Sequence, residues 1–333
     1  MEKKKFRILS IDGGGIRGIM PAKVLADLES YLKQKGDTRA MHEHFDLICG
    51  TSTGAILAIG IALGIPASKL LAFYIDYASS IFPSWPFNTH MMKGLYRPVY
   101  SNKKLLQALE DVYKDANGKT ALLNDAKTML CIPVFNGGSG EINVLKTKHH
   151  EGYNRDYKIP AHHAAMSSGS APIYFPPHSF NFSNALGDGN YLNMIDGGVF
   201  ANNPALIGLF EATDKLGYDF NDIMLLSLGT GQGRHILKKR WKPPGIRYWL
   251  LPNPRVLDII LDSQAQITEQ YLSFLNRTLE KNGKGITYLR VQHQFHDKPI
   301  PLNASRKKDI DQLIVTGQEL GKKHISSIAN TFY

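Results

Sequence analysis

Short apolar runs alternate along the chain with longer stretches in which apolar residues return every three or four positions. The first run, Phe6-Arg7-Ile8-Leu9-Ser10-Ile11, predicts a buried strand. Val24, Leu25, Leu28, Tyr31 and Leu32 then recur at helical spacing and predict a helix over 20–35. Phe45-Asp46-Leu47-Ile48-Cys49 predicts a second strand, and the small aliphatic residues over 55–63 predict a tightly packed helix. Helices are expected over 66–81 and 102–113. Strands over 128–135 and 141–146 flank Asn136-Gly137-Gly138-Ser139-Gly140, which reads as a hairpin turn. A short helix over 159–168, a strand over 191–195, a helix over 205–216 and a strand over 223–228 continue the alternation. To about residue 233 the order is strand, loop, helix, repeated, which predicts an α/β layered fold with a mainly parallel sheet. A long helix over 255–279, a strand over 285–291 and a last helix over 306–329 follow. We therefore place a catalytic core at 1–235 and a C-terminal extension packed on it at 236–333.

In sheets of this kind ligands sit beyond the C-terminal ends of the strands. Asp12, Ser52 and Asp196 all stand just after predicted strands, so they are candidates for one crevice. Gly50-Thr51-Ser52-Thr53-Gly54 has the G-x-S-x-G spacing of a nucleophile elbow, with a strand before it and a helix after it. Ser52 is the candidate nucleophile. Gly13, Gly15 and Gly18 match the G-x-G-x-x-G dinucleotide fingerprint. That fingerprint also needs an acidic residue closing the next strand, and here the next strand ends in the serine elbow. The other reading is an oxyanion loop, in which the N–H groups of Gly13, Gly14 and Gly15, with Arg17 near, meet charge developing on a substrate carbonyl.

A serine nucleophile needs a base. His235, His293, His296 and His324 lie beyond Asp196, but none stands in a tight strand-end turn among glycines. Asp196, followed by Gly197-Gly198, does. A Ser–Asp dyad is workable if burial makes the carboxylate more basic. The adjacent pairs His149-His150 and His162-His163 have poor spacing for a metal, and they read as surface polar residues. No metal site is expected.

Composition sets the surroundings. A net charge of +10 over 333 residues fits attraction to membrane phospholipid, nucleic acid or phosphorylated ligands, and equally a solvated basic surface. Lys238, Lys239, Arg240, Trp241, Arg247 and Trp249 make a basic, proline-rich arm over 235–255. It suits an anionic membrane, a partner or an ordinary packed connection. Trp85, Phe87, Met91 and Met92 belong to a proline-broken stretch over 80–100 that reads as a lid, a membrane-touching surface or a connection packed on the core. Cys49 and Cys131 lie in apolar runs, read as buried packing residues and fit a reducing compartment. The N-terminal lysines run into the first strand without a signal-peptide core, and the longest apolar run, Ala55 to Ala67, falls short of the ~20 residues of a membrane span. A cytoplasmic protein is expected, with any membrane contact peripheral.

Asp12-Gly13-Gly14-Gly15-Ile16-Arg17-Gly18, Gly50-Thr51-Ser52-Thr53-Gly54 and Asp196-Gly197-Gly198, in that order, closely resemble the patatin-like phospholipases. The stretches 170–177, 199–204 and 227–231 resemble that family's surroundings, so the likeness covers about residues 6–233. It implies a three-layer α/β/α fold and a Ser–Asp dyad. Ser52 would be the acylated nucleophile and Asp196 the general base. Gly13, Gly14 and Gly15, with Arg17, would form the oxyanion hole. It implies no cofactor, and a membrane phospholipid as substrate. Some bacterial relatives are anti-phage effectors switched on by cyclic dinucleotides, so such an activator is an open expectation, as is a homo-oligomer; nucleic acid is not an expected partner. The alternative function is a nucleotide-binding regulatory protein with little hydrolase activity.

Overall fold

The computed structural model describes residues 5–83, 97–115, 117–184, 187–235, 245, 248–249, 255–296 and 299–333. The aromatic stretch from Trp85 to Tyr96 and nearly all of the basic arm from Lys238 to Pro254 lie outside them.

Strands β1 (Phe6–Ile11), β2 (Leu47–Gly50), β3 (Met129–Asn136), β4 (Glu141–Lys146), β5 (His178–Asn184), β6 (Gly187–Asp196), β7 (Ile223–Leu228) and β8 (Thr287–Val291) form one sheet. Its order is β5-β6-β3-β2-β1-β7-β8, with β4 also paired to β3. From β3 to β8 the pairings are parallel; β4, β5 and β6 run antiparallel at one side. The sheet is thus mainly parallel in its centre, as the strand–loop–helix order predicts. β5 is an element the hydrophobic pattern did not yield; its alternation of Phe180 and Phe182 with Ser179, Asn181 and Ser183 is the signal that was there to find.

The two faces of the sheet separate by parity. Leu9, Ile11, Ile48, Leu130, Ile132, Val134, Leu226 and Leu228 enter one apolar core. Phe6, Ile8, Leu47, Cys49, Cys131, Ile223 and Leu225 enter the other. Side chains alternate between faces along a strand, so runs that are apolar throughout can only be buried on both. Helices cover both faces. On the first lie α1 (Ile19–Gln34), α2 (Thr53–Ala62), α3 (Ala67–Ile81), α4 (Lys103–Val112) and α5 (Ala161–Gly169). A single turn α6 (Gly198–Ala201) follows β6, and α7 (Ala205–Phe210) packs on the second face. The helix expected over 205–216 stops at Phe210 and continues as a π-helical turn, Glu211–Lys215.

The chain beyond 235 is woven into this core. β8 pairs with β7 from Met224↔Thr287 to Leu228↔Val291. Helix α8 (Arg255–Glu280) packs against α6 and α7, and α9 (Lys307–Phe332) lies along α1. No helix among the described residues is long and apolar enough to cross a membrane.

Register fixes where the loops begin. Ile11 is level with both Gly50 and Leu228, so the loops after β1, β2 and β7 leave the same edge. The turn after β2 passes so close to β1 that a Cβ on Gly54 would collide with the carbonyl oxygens of Ile11 and Asp12. Both obstacles are backbone of a central strand and its exit, so neither can give. Gly54→Ala is expected to destabilise the protein by about 2–3 kcal/mol in urea unfolding; a loss under ~0.5 kcal/mol would mean that this approach is looser than described.

Candidate active site

Ser52 follows β2 with φ 55° and ψ −121°, a left-handed conformation that a residue with a Cβ adopts only when its surroundings hold it there. They hold it from several sides. The Ser52 N–H donates to Ser168 Oγ (2.9 Å), and the Ser168 hydroxyl donates to the Pro133 carbonyl (2.8 Å). Thr51 Oγ1 donates to the Ala201 carbonyl, and the Tyr74 hydroxyl donates to the Thr53 carbonyl. Ser52 occupies the N-cap position of α2, yet its hydroxyl caps nothing. The oxygen is left free for another partner, over the positive end of the helix.

That partner is Asp196. The last residue of β6 is only 3% exposed; its carboxylate accepts the Gly198 N–H (2.7 Å) and stands beside the Ser52 side chain. Burial pushes the carboxyl up to about 7; the Ser52 hydroxyl and the Gly198 N–H offset that only in part. The Asp196 N–H donates to the Ser170 carbonyl (3.1 Å). One short segment at the end of α5, Ser168 to Ser170, therefore fixes the backbone of both residues. In the sequence this segment is only the end of the helix expected over 159–168 and the start of the stretch 170–177, with no part in the site.

The glycine loop leaves β1 beside them. The Gly13 N–H is already spent on the Asn202 carbonyl (3.0 Å), and the Thr230 hydroxyl donates to the Gly13 carbonyl (2.6 Å). The N–H groups of Gly14 and Gly15 have no hydrogen-bond partner among the described residues. Gly15 has φ 56°, and a Cβ there would run into the carbonyl of Leu302, so glycine is required. The Thr53 N–H, in the first turn of α2, also has no partner among the described residues and was not foreseen as a donor. Arg17 is placed differently from the expectation. Its guanidinium is 3% exposed and reaches the Gly231 carbonyl (3.3 Å) and Asp258 (4.0 Å). It braces the loop after β7 instead of facing the cavity.

Gly14, Gly15, Ser52, Thr53 and Asp196 line one cavity, whose other walls are mostly apolar: Ile56, Phe73, Ala78 and Phe82 on one side, Tyr174, Leu261 and Leu302 on others. The late histidines His235, His293, His296 and His324 are not among its lining residues; His235 instead pairs with Asp262 (2.7 Å). The paired histidines depart from the surface reading. His162 is buried, and the side chain of His149 is 5% exposed. His149 meets Glu211 (3.0 Å), which also takes hydrogen bonds from Tyr153 (2.6 Å) and Lys146 (2.5 Å). Burial pushes the Glu211 carboxyl up, but those three partners outweigh it and hold it at about 2. Cys131 lies within reach of His149 and Glu211, a grouping of ligand types able to hold a cation; the Lys146 ammonium already neutralises the carboxylate there.

The chain matches the family described as patatin-like phospholipase over residues 9–209. It is 33% identical to a cGAMP-activated phospholipase of Escherichia coli (strain TW11681), over 72% of this chain and 68% of that protein. It is 34% identical to a cGAMP-activated phospholipase of Vibrio cholerae serotype O1, over 68% of this chain and 65% of that one. It is also 30% identical to patatin-like protein 2 of Arabidopsis thaliana, over 96% of this chain and 84% of that protein.

A buried acid with its folded pKa near 7, well above the unfolded value, costs stability as pH rises. Between about 4 and 7 the unfolded chain sheds the proton while the native state keeps it, and above about 7 the loss is complete. Asp196→Asn removes this dependence. Relative to wild type, the variant is expected to gain about 2 kcal/mol on going from pH 5 to pH 8, measured by urea unfolding at both. A difference that does not change with pH would place the Asp196 pKa near its ordinary value.

Proposed function

The chain belongs to the patatin-like phospholipase family, and from that membership we propose that it cleaves fatty acyl esters of membrane phospholipids through Ser52 and Asp196. It is a lipid acyl hydrolase; the residues and the substrate are our reading. What carries it is the pairing of a strained, uncapped serine with a dry carboxylate at the mouth of an apolar cavity.

The steps follow from the placement of the groups. An acyl chain lies along the apolar walls with its ester carbonyl at Ser52. Asp196 takes the proton from Ser52 Oγ as the oxygen attacks the carbonyl carbon. The negative charge that forms on the carbonyl oxygen is met by the N–H groups of Gly14 and Gly15, with Thr53 on the elbow side. The intermediate collapses, the C–O bond to the glycerol backbone breaks, and Asp196 gives the proton to the departing alkoxide. Water then enters, loses a proton to Asp196 and attacks the acyl carbon; a second collapse frees the fatty acid and returns the proton to Ser52. A base with a pKa near 7 suits this work at neutral pH. The resemblance to two cGAMP-activated phospholipases and the net charge of +10 support two additions: peripheral attraction to an anionic membrane and activation by a cyclic dinucleotide.

Ser52→Ala should lower fatty-acid release from phosphatidylglycerol vesicles by ~10⁴-fold or more while leaving the melting transition cooperative. For wild type, kcat/KM should fall about tenfold per pH unit below 7, as the base becomes protonated. Release that persists in Ser52→Ala would sink the dyad. Adding cGAMP to wild type should raise release at least tenfold; an unchanged rate would remove the switch and leave the hydrolase.

A further inference from the structure

The base of the glycine loop holds an ion pair that the chemistry above does not use. Asp12, the residue between β1 and Gly13, is 1% exposed, and the Arg290 side chain is 7% exposed. The contact is bidentate: Arg290 Nη1 to Asp12 Oδ1 at 2.8 Å and Nη2 to Oδ2 at 2.5 Å. Nη1 also donates to Ser227 Oγ (2.7 Å), and Glu269 of α8 stands 3.9 Å from Nε. Arg290 comes from β8, level with Ser227 on β7 and through it with Ser10 on β1. A cation from the strand at the sheet's edge thus reaches across β7 to Asp12, at the start of the glycine loop.

We propose that Arg290 is a positioning residue for the ester hydrolysis, holding Asp12 so that the bare N–H groups of Gly14 and Gly15 face the reacting carbonyl. Three observations converge. Asp12 is the hinge between a rigid strand and a loop whose donors must stay unpaired; its own N–H donates to the Leu228 carbonyl (3.0 Å). The next residue is tied at its N–H to Asn202 and at its carbonyl to Thr230, and Ile16 N–H to the Leu302 carbonyl (2.8 Å), so Gly14 and Gly15 span a short arc between fixed points. The backbone carbonyl of Asp12 also lies at a close approach, where Gly54 passes the end of β1. A buried ion pair is a poor device for stability, since an apolar pair of similar volume often serves as well or better. A planar guanidinium gripping both carboxylate oxygens fixes direction, which a point charge does not. Donors aimed in advance at the developing charge are what such a hydrolase depends on.

The inference rests on the Ser52–Asp196 reading, so the test includes Ser52→Ala. Arg290→Lys, Arg290→Met and the double variant Asp12→Leu/Arg290→Met are assayed with a short-chain p-nitrophenyl ester and followed by thermal melting. Arg290→Lys keeps the charge and loses the fork; it should lose ~10-fold in kcat with KM within twofold. Arg290→Met should lose ~10²–10³-fold, comparable to removing one oxyanion donor. The double variant should melt near wild type and still show the low kcat, because packing is restored and loop direction is not. Recovery of kcat together with stability in the double variant, or full kcat in Arg290→Lys, would make the pair merely structural and overturn the proposal. If Arg290→Met does not fold, the lysine and double variants still decide it. Activity surviving in Ser52→Ala overturns the dyad, and this inference with it.

Discussion

Asp196 is a carboxylate kept dry beside a hydroxyl. Its proposed use as a base and its cost to the fold have one cause, the loss of water around a charge. The surrounding architecture serves to keep that arrangement. β6 delivers the carboxylate from the antiparallel side of the sheet, and β2 delivers the serine from the parallel centre; β3 lies between them and pairs with both. The Pro133 carbonyl on β3 accepts the Ser168 hydroxyl, which in turn receives the Ser52 N–H. The middle strand therefore sets the distance between the proposed nucleophile and base.

Preorganisation recurs throughout the site. The serine is held in a left-handed conformation it would not adopt alone, which keeps its oxygen off the helix end it would otherwise cap. Gly14 and Gly15 keep unpaired N–H groups while the residues around them are tied down. Each is a local cost met by packing elsewhere: α2 is buried along its whole length, and the strands beneath it are closed to water on both faces. Sites with strain and unmet donors need a large, rigid core beneath them.

The C-terminal third bears on this. It adds β8 to the sheet, lays α9 along α1, sends Leu302 to the glycine loop and Arg290 to Asp12. Leu302 and Asn303 also line the cavity. A segment whose sequence carries no recognisable motif thus touches the loop at two points.

The elements of the chain were legible in its hydrophobic pattern. Strands that are apolar at every position can only be central, and the elbow and glycine loops announce themselves because glycine is required wherever backbone approaches backbone, as Gly54 approaches Ile11. Ser52 and Asp196 could be named for the same reason: each stands at a strand end beside glycines. Which glycine N–H groups are free was not legible, because Gly13 is occupied by a carbonyl 189 residues away in sequence, on Asn202. Nor was the direction of Arg17, drawn to Gly231 and Asp258, nor the burial of His149, drawn to Glu211. Side-chain direction depends on partners brought together by the sheet register, and no local pattern encodes it. Sequence determined which residues could do chemistry. Tertiary structure decided which of their hydrogen bonds were already spent.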